Sequence, residues 1–205
     1  MPQRCTTRAF TSVLALIASF GTASAAETDI TIGMQLEPPH LDPTSAAAGA
    51  IDNVVYSNIF EGLTRFMGDG SVVPGLAKSW DISDDGLRYT FHLRGDVQFH
   101  DGTAMDAADV KFSLDRARAE DSTNAQKALF AGIADVAVID PLTVALTLEA
   151  PNGNLLFKLA WGDAVIVAPE TIETIKSNPV GTGAFMVQSR DLDNETVMVR
   201  NPNYW

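Results

Sequence analysis

No stretch limits the fold of this chain more than VPGLAKSWDISDDGLRYTFHLRGDVQFHDGTAMDAADVKFSLDRA, Val73 to Ala117. Leu87, Tyr89, Phe91 and Leu93 alternate with Arg88, Thr90, His92 and Arg94, the period of a strand with one face buried and one wet. Asp84-Asp85-Gly86 supplies a turn in which glycine takes a positive φ, so Trp80-Asp81-Ile82 folds back as the partner strand of a hairpin. Asp101-Gly102 makes a second turn. Asp106 and Asp109 then place carboxylates where the free N–H groups at a helix start favour them. Ala107, Val110, Leu114 and Ala117 fall on one face of that helix.

The flanks are weaker copies of the same logic. Ile30, Ile32 and Met34 alternate, predicting a first strand that ends at Glu37-Pro38-Pro39. A helix is expected from Ile51 to about Phe60, with Ile51, Val54, Val55 and Ile59 on one face and Glu61-Gly62 as its stop. Gln126 to Phe130 is a short helix candidate. Val136 and Val138 with Leu142 to Leu148 form a second hairpin around Asp140-Pro141. Asn154 is placed to cap a short helix over Leu155 to Leu159, and Pro169 to Lys176 looks helical. Phe185 to Ser189 and Thr196 to Arg200 are expected as closing strands. Hairpins rather than repeated βαβ units make the fold class α+β, a mixed α/β protein. The terminal Tyr204 and Trp205 have nothing after them to pack against, the appearance of a piece of a longer protein.

Residues 1–25 have the form of a signal peptide: Arg4 and Arg8, an apolar run from Ala9 to Phe20, then Ala23-Ser24-Ala25, with cleavage after Ala25 and Ala26 second in preference. The run is shorter than the ~20 apolar residues that spanning requires, so no membrane insertion is expected. The one cysteine, Cys5, lies in that leader. Disulfides, Cys-ligated zinc and thiol nucleophiles are therefore excluded from the mature chain. Loss of Arg4 and Arg8 takes the net charge from −12 to −14, which argues against nucleic acid and anionic lipid as partners.

Chemistry-bearing motifs are scarce. Gly181-Thr182-Gly183 starts like a dinucleotide fingerprint, but Met186 stands at the third glycine position and a strand follows. His40, His92 and His100 are scattered over a turn, a wet strand face and a turn border. The acidic pairs are turn formers and helix caps. No catalytic residue, metal ligand or cofactor is assigned. Two features are candidates for binding a ligand. In the run Thr44, Ser45, Ala46, Ala47, Ala48, Gly49 and Ala50, small side chains let a solute approach backbone N–H and C=O groups, although a flexible linker has the same composition. Trp161, beside Gly162 and Asp163, is either a ligand wall or a buried core residue.

The whole series resembles the family 5 extracellular solute-binding proteins of ABC importers, which bind peptides, dipeptides and nickel chelates. The matching segments are LDP at Leu41 to Pro43, IFEGLT at Ile59 to Thr64, the Val73 to Ala117 stretch, D-x-x-T-V-x-L at Asp140 to Leu146, VGTGAF at Val180 to Phe185 and RNPNYW at Arg200 to Trp205. Ala184 replaces a common proline and Asp106 a common threonine.

The resemblance implies the first lobe of a type II periplasmic binding protein with an additional subdomain, the second lobe missing from this chain. It divides the chain into 26–62 and 180–205, facing the ligand, and 63–179, the additional subdomain. It maps the ligand-contacting loop onto Ala46, Ala47, Ala48 and Gly49, where no acidic side chain meets a ligand amino group. It further implies a periplasmic, monomeric, non-catalytic protein that carries a small-molecule solute (an oligopeptide, dipeptide, nickel chelate or similar) to an inner-membrane ABC permease. A secreted hydrolase and a secreted interaction module without a solute are the alternatives.

Overall fold

A computed structural model describes residues 28–46 and 48–205. The expected signal peptide, residues 1–25, and Ala47 lie outside the described residues. Residues Gln35–Trp205 form one unit, and of the preceding unit residues 28–34 are described.

The Val73 to Ala117 stretch folds as its pattern dictates. Strands β3 (Ala77–Ile82) and β4 (Arg88–Leu93) pair antiparallel, with Trp80 opposite Phe91 and Ile82 opposite Tyr89. Gly86 takes φ +70° in the connecting turn, a conformation that costs a residue with a Cβ. Tyr89, Phe91 and Leu93 are buried while Arg88 is exposed. Strands β5 (Ile133–Asp140) and β6 (Thr143–Leu148) make the second hairpin, and the antiparallel sheet runs β3-β4-β6-β5. Helix α2 (Ala107–Arg118) lies against β5 and β6. Its start is a complete capping box: Ala108 N donates to Asp106 Oδ1 at 2.7 Å, and Asp106 N donates to Asp109 Oδ2 at 2.8 Å. Ala107, Val110, Leu114 and Ala117 join Phe91, Val144 and Leu146 in the larger core.

A second core gathers Leu41, Phe60, Val165, Val167 and Ile175 around helix α1 (Gly49–Val55), which contributes Ile51, Val54 and Val55. The segment from Ala164, the end of the 3-10 turn Gly162–Ala164, through the extended residues to Ala168 is a wall shared by the two cores. Val165 and Val167 face the second, whereas Ala164, Ile166 and Ala168 face the first, the alternation of a strand buried on both faces. Ile166 N donates to Glu61 O at 2.9 Å, holding this wall against the IFEGLT segment. Two small antiparallel ladders complete the fold: β1 (Thr64–Phe66) with β2 (Val72–Pro74), and β7 (Phe185–Asp191) with β8 (Glu195–Arg200).

Five expectations change. Residues 28–34 carry no strand, and Ile30 and Ile32 are 84% and 74% exposed, because alternation yields a strand only with a hydrogen-bonded neighbour. Helix α1 ends at Val55 instead of Phe60, since Ser57 turns to φ 59° and Asn58 Nδ2 donates back to Val54 O at 2.9 Å. Asn154 precedes α3 (Leu155–Lys158), but its side chain makes no capping bond. Pro169 to Lys176 forms a 3-10 turn over Pro169–Thr171 followed by irregular turns, and Lys127–Leu129 is likewise 3-10. Tyr204 and Trp205 pack upstream, at Glu61 and Arg94. Among the described residues no helix is long and apolar enough to cross a membrane.

Candidate ligand-binding site

Three of the diagnostic segments meet at Glu61. This side chain is buried, and its carboxylate accepts hydrogen bonds from Thr182 Oγ1 at 3.0 Å, Tyr204 Oη at 2.9 Å and Trp205 Nε1 at 3.1 Å. Burial pushes its pKa up, and the three hydrogen bonds pull against that shift. Burial, then the charge of Glu61, drives the Tyr204 phenol up to about 12. The Arg94 guanidinium lies 4.2 Å from the centre of the Trp205 ring. Gly183 N donates to Ile59 O and Phe185 N to Asn58 O, both at 2.9 Å. At Gly181 and Gly183 an added Cβ would stand 2.0 Å from Ile59 O and 2.2 Å from Asn58 O, so both glycines serve backbone approach. His100 completes this knot, with Nδ1 accepting from Gly181 N and Nε2 donating to Gly183 O at 3.0 Å. Burial lowers its pKa, in keeping with the neutral ring those two bonds require.

The small-residue loop is anchored at its start. Thr44 N and Thr44 Oγ1 both donate to Asp42 Oδ1, at 2.8 and 2.6 Å, while Arg116 on α2 donates to Thr44 Oγ1. Arg116 Nη2 also lies 3.7 Å from the buried Asp42 Oδ2. Thr44 is buried, Ser45, Ala46 and Ala48 are half-buried, and Gly49 is exposed at the first position of α1. Ala46 and Ala48 pack on the second core, so these positions are not a free linker.

Trp161 is not a core residue: it is 39% exposed and stands in an aromatic group with Phe66 and Phe157, centroids 6.3 and 6.2 Å away. Open clefts flank it on two sides. One of about 340 Å³ is lined by Leu129, Asn154, Phe157 and Lys158, and a smaller one of about 190 Å³ by Asp52, Tyr56, Phe66, Ala160 and Gly162. Helix α1 links the two predicted features, since it begins at the loop and carries Asp52 and Tyr56 to the Trp161 cleft. No hydrogen bond joins the loop residues to Trp161 among the described residues.

Asp52, Tyr56 and Phe66 were not among the predicted site residues. Their signal was the i, i+4 spacing of Asp52 and Tyr56, a polar pair on the helix carrying Ile51, Val54 and Val55 toward the core. Tyr56 Oη donates to Ala160 O. Asp163 next to Trp161 is buried, and its carboxyl rises to about 6, first through burial and then through the charge of Asp52. The other histidines are apart from this region: His40 Nδ1 accepts from Asp42 N at 3.2 Å, and His92 Nε2 lies 2.8 Å from Asp81.

Comparison with known proteins adds the following. The family described as bacterial extracellular solute-binding proteins, family 5 Middle, matches residues 71–205. A glutathione-binding protein, GsiB of Salmonella paratyphi A, is 32% identical over 193 residues, covering 92% of this chain and 37% of its own. The nickel-binding periplasmic protein of Escherichia coli is 33% identical over 195 residues, with 92% and 37% covered. In structure, NikZ of Campylobacter jejuni in complex with Ni(L-His) superposes with a TM-score of 0.74 at 30% identity over 83% of this chain and 35% of that one. The chain thus spans about a third of the length of the relatives it matches, 37% in both sequences.

Proposed function

The chain belongs to the bacterial extracellular solute-binding proteins of family 5, and from that premise we propose that it acts as the solute-binding component of an ABC importer. In this reading it resides in the periplasm as a monomer, captures a peptide-like or other small polar solute, and presents it to an inner-membrane permease without chemical change. The relatives named for glutathione and nickel binding support this class of role. The observation that carries it is the continuity of the anchored loop, helix α1 and the aromatic cleft: small residues at the helix start, and Asp52, Tyr56, Phe66 and Trp161 around an open recess one to two turns on.

The proposed contact residues are Thr44, Ser45, Ala46, Ala47, Ala48 and Gly49, through their backbone, and Trp161 through its ring. Residues 26–62 and 180–205 are assigned to the ligand-facing subdomain and 63–179 to the additional one. The hydrophobic clusters follow that assignment only in part: α1 centres one and the β3-β4-β6-β5 sheet the other, but Val165, Val167 and Ile175 of 63–179 pack in the α1 cluster. Closure of two lobes on the solute, with the permease favouring the closed form, would couple capture to transport.

Thermal-shift titration against panels of di- and oligopeptides, nickel chelates and sugars tests the reading. A saturable rise in Tm for one panel is expected, because a ligand that binds only the folded state stabilises it. Absence of any shift across all three panels defeats the proposal.

A further inference from the structure

The recess between α1 and Trp161 has a composition that selects by charge. Of its six lining residues two, Ala160 and Gly162, offer little beyond backbone, and Tyr56 has its hydroxyl committed to Ala160 O, leaving its ring. Phe66 and Trp161 meet at 81°, so the two rings form a corner. Asp52 supplies the only carboxylate in the lining. Its carboxylate presses on Gly162, where an added Cβ would stand 2.7 Å from Oδ1. Among the described residues no side chain or backbone N–H donates to it and no cation pairs with it.

A second carboxylate is buried beside it. Asp163 is 7% exposed and is close enough for the charge of Asp52 to raise its pKa. Among the described residues its only donor is its own N–H. Arg65, next to Phe66, is exposed and exerts its charge on Tyr56 and Glu61, and Lys158 lines the cleft on the other side of Trp161; neither shifts Asp52, whose pKa is raised by burial alone. An unneutralised carboxylate at an aromatic corner, with a second one buried nearby, repels an anion and gains nothing from an apolar group. A cation satisfies both walls at once, by Coulomb attraction and by attraction to the ring quadrupoles.

We infer that this recess is a subsite for an organic cation, an ammonium or guanidinium group of the solute, with Asp52 as its counter-charge and the rings of Trp161 and Phe66 as its walls. At about 190 Å³ it holds one functional group of a solute and not a whole one. The inference rests on the solute-binding reading and narrows it to solutes that carry a positive end. It also locates charge recognition in α1, one turn beyond the loop that lacks an acid.

The test pairs each cation with a neutral isostere: n-butylammonium with n-butanol, and ethylguanidinium with ethylurea. Binding is followed by the Trp161 indole N–H resonance in spectra of the folded chain. Saturable shifts are expected from one or both cations and from neither neutral probe, and the member that binds distinguishes ammonium from guanidinium recognition. Asp52→Asn should weaken the cation about tenfold, and Asp163→Asn by a smaller factor. Raising salt from about 20 to about 200 mM should weaken it severalfold.

Equal affinity for the neutral partner, no saturable shift from either cation, or unchanged affinity in both Asn variants overturns the inference. The solute-binding reading is scored separately by the Tm panels. An uncharged peptide or sugar that stabilises the protein while both cations fail removes the charged subsite and leaves solute binding standing. Failure of both sets removes both.

Discussion

The Glu61 knot and the Trp161 recess both withdraw carboxylates from water, Glu61 and Asp163 almost fully and Asp52 in part, and they treat them in opposite ways. Glu61 receives three donors from residues far along the chain, and the aromatic rings that supply two of them close over it. Asp52 and Asp163 have no such donors, and the aromatic rings beside them are left open to solvent. A buried acceptor that is fully bonded contributes to stability and specifies one arrangement, whereas a partly desolvated one without protein donors carries a desolvation cost that water or another partner must relieve. The difference separates a place built to hold the fold from a place left incomplete.

Substitutions in the knot should therefore be the most damaging. Gly181→Ala drives a Cβ into the backbone carbonyl of Ile59, and Gly183→Ala into that of Asn58, obstacles that cannot rotate away. Each should lower stability by about 3 kcal/mol in denaturant unfolding. Glu61→Ala leaves three donors without an acceptor and should cost about 2 kcal/mol, while Glu61→Gln, which keeps one oxygen, should cost less. If the alanine variant unfolds at the wild-type midpoint, the knot is not what holds these segments together.

Arg116→Ala frees Thr44 and leaves the buried Asp42 with an unanswered charge, and a loss of about 1.5 kcal/mol is expected once the partial exposure of Arg116 is taken into account. The recess should register mainly in pH dependence. The folded Asp163 carboxyl titrates near 6, above its ordinary 3.8, so in that interval the native state holds the proton more tightly than the unfolded chain. Stability from this group is complete below about pH 3.8 and is lost as pH rises to about 6. Asp109, raised to about 6 chiefly by burial, adds a fall of the same sign. Asp163→Asn should flatten part of the decline measured by thermal unfolding between these limits, and a variant that steepens it would reverse the sign assigned to Asp163. Trp161→Phe should change stability least, within about 0.5 kcal/mol, because the ring is partly exposed. A shift in its unfolding midpoint as large as that of Glu61→Ala would erase the distinction between the two regions.

The parts of the fold that depend on neighbouring residues were legible. The β3-β4 turn at Gly86, the alternation through Phe91 and the Asp106/Asp109 capping box each lie within a few residues, so their chemistry is written in consecutive letters. The role of Glu61 was not, since its donors come from 121, 143 and 144 residues downstream and the sequence shows only a polar residue after a helix-like run. The same holds for the end of α1, where the turn at Ser57 sets Asn58 and Ile59 against the Gly183 segment. Of the proposed site, the loop was marked out by its small residues and Trp161 by its glycine neighbour. Asp52 was hidden because an acid in the first turn of a helix is ordinary. What marks it is the lack of a partner, and a sequence cannot display a missing contact.

The order of strands in the main sheet has a consequence for synthesis. Strand β6 lies between β4 and β5 although it follows both. During synthesis the β3-β4 hairpin therefore waits with the β4 edge bare, and its apolar face of Tyr89, Phe91 and Leu93 lacks the later residues of the larger core. An open edge above an apolar face is a template for pairing between chains. The nascent chain is most vulnerable in the interval between Leu93 and Leu148. Its folding rate should be set by the late docking of the β5-β6 hairpin against β4, a non-local closure, and not by formation of either hairpin.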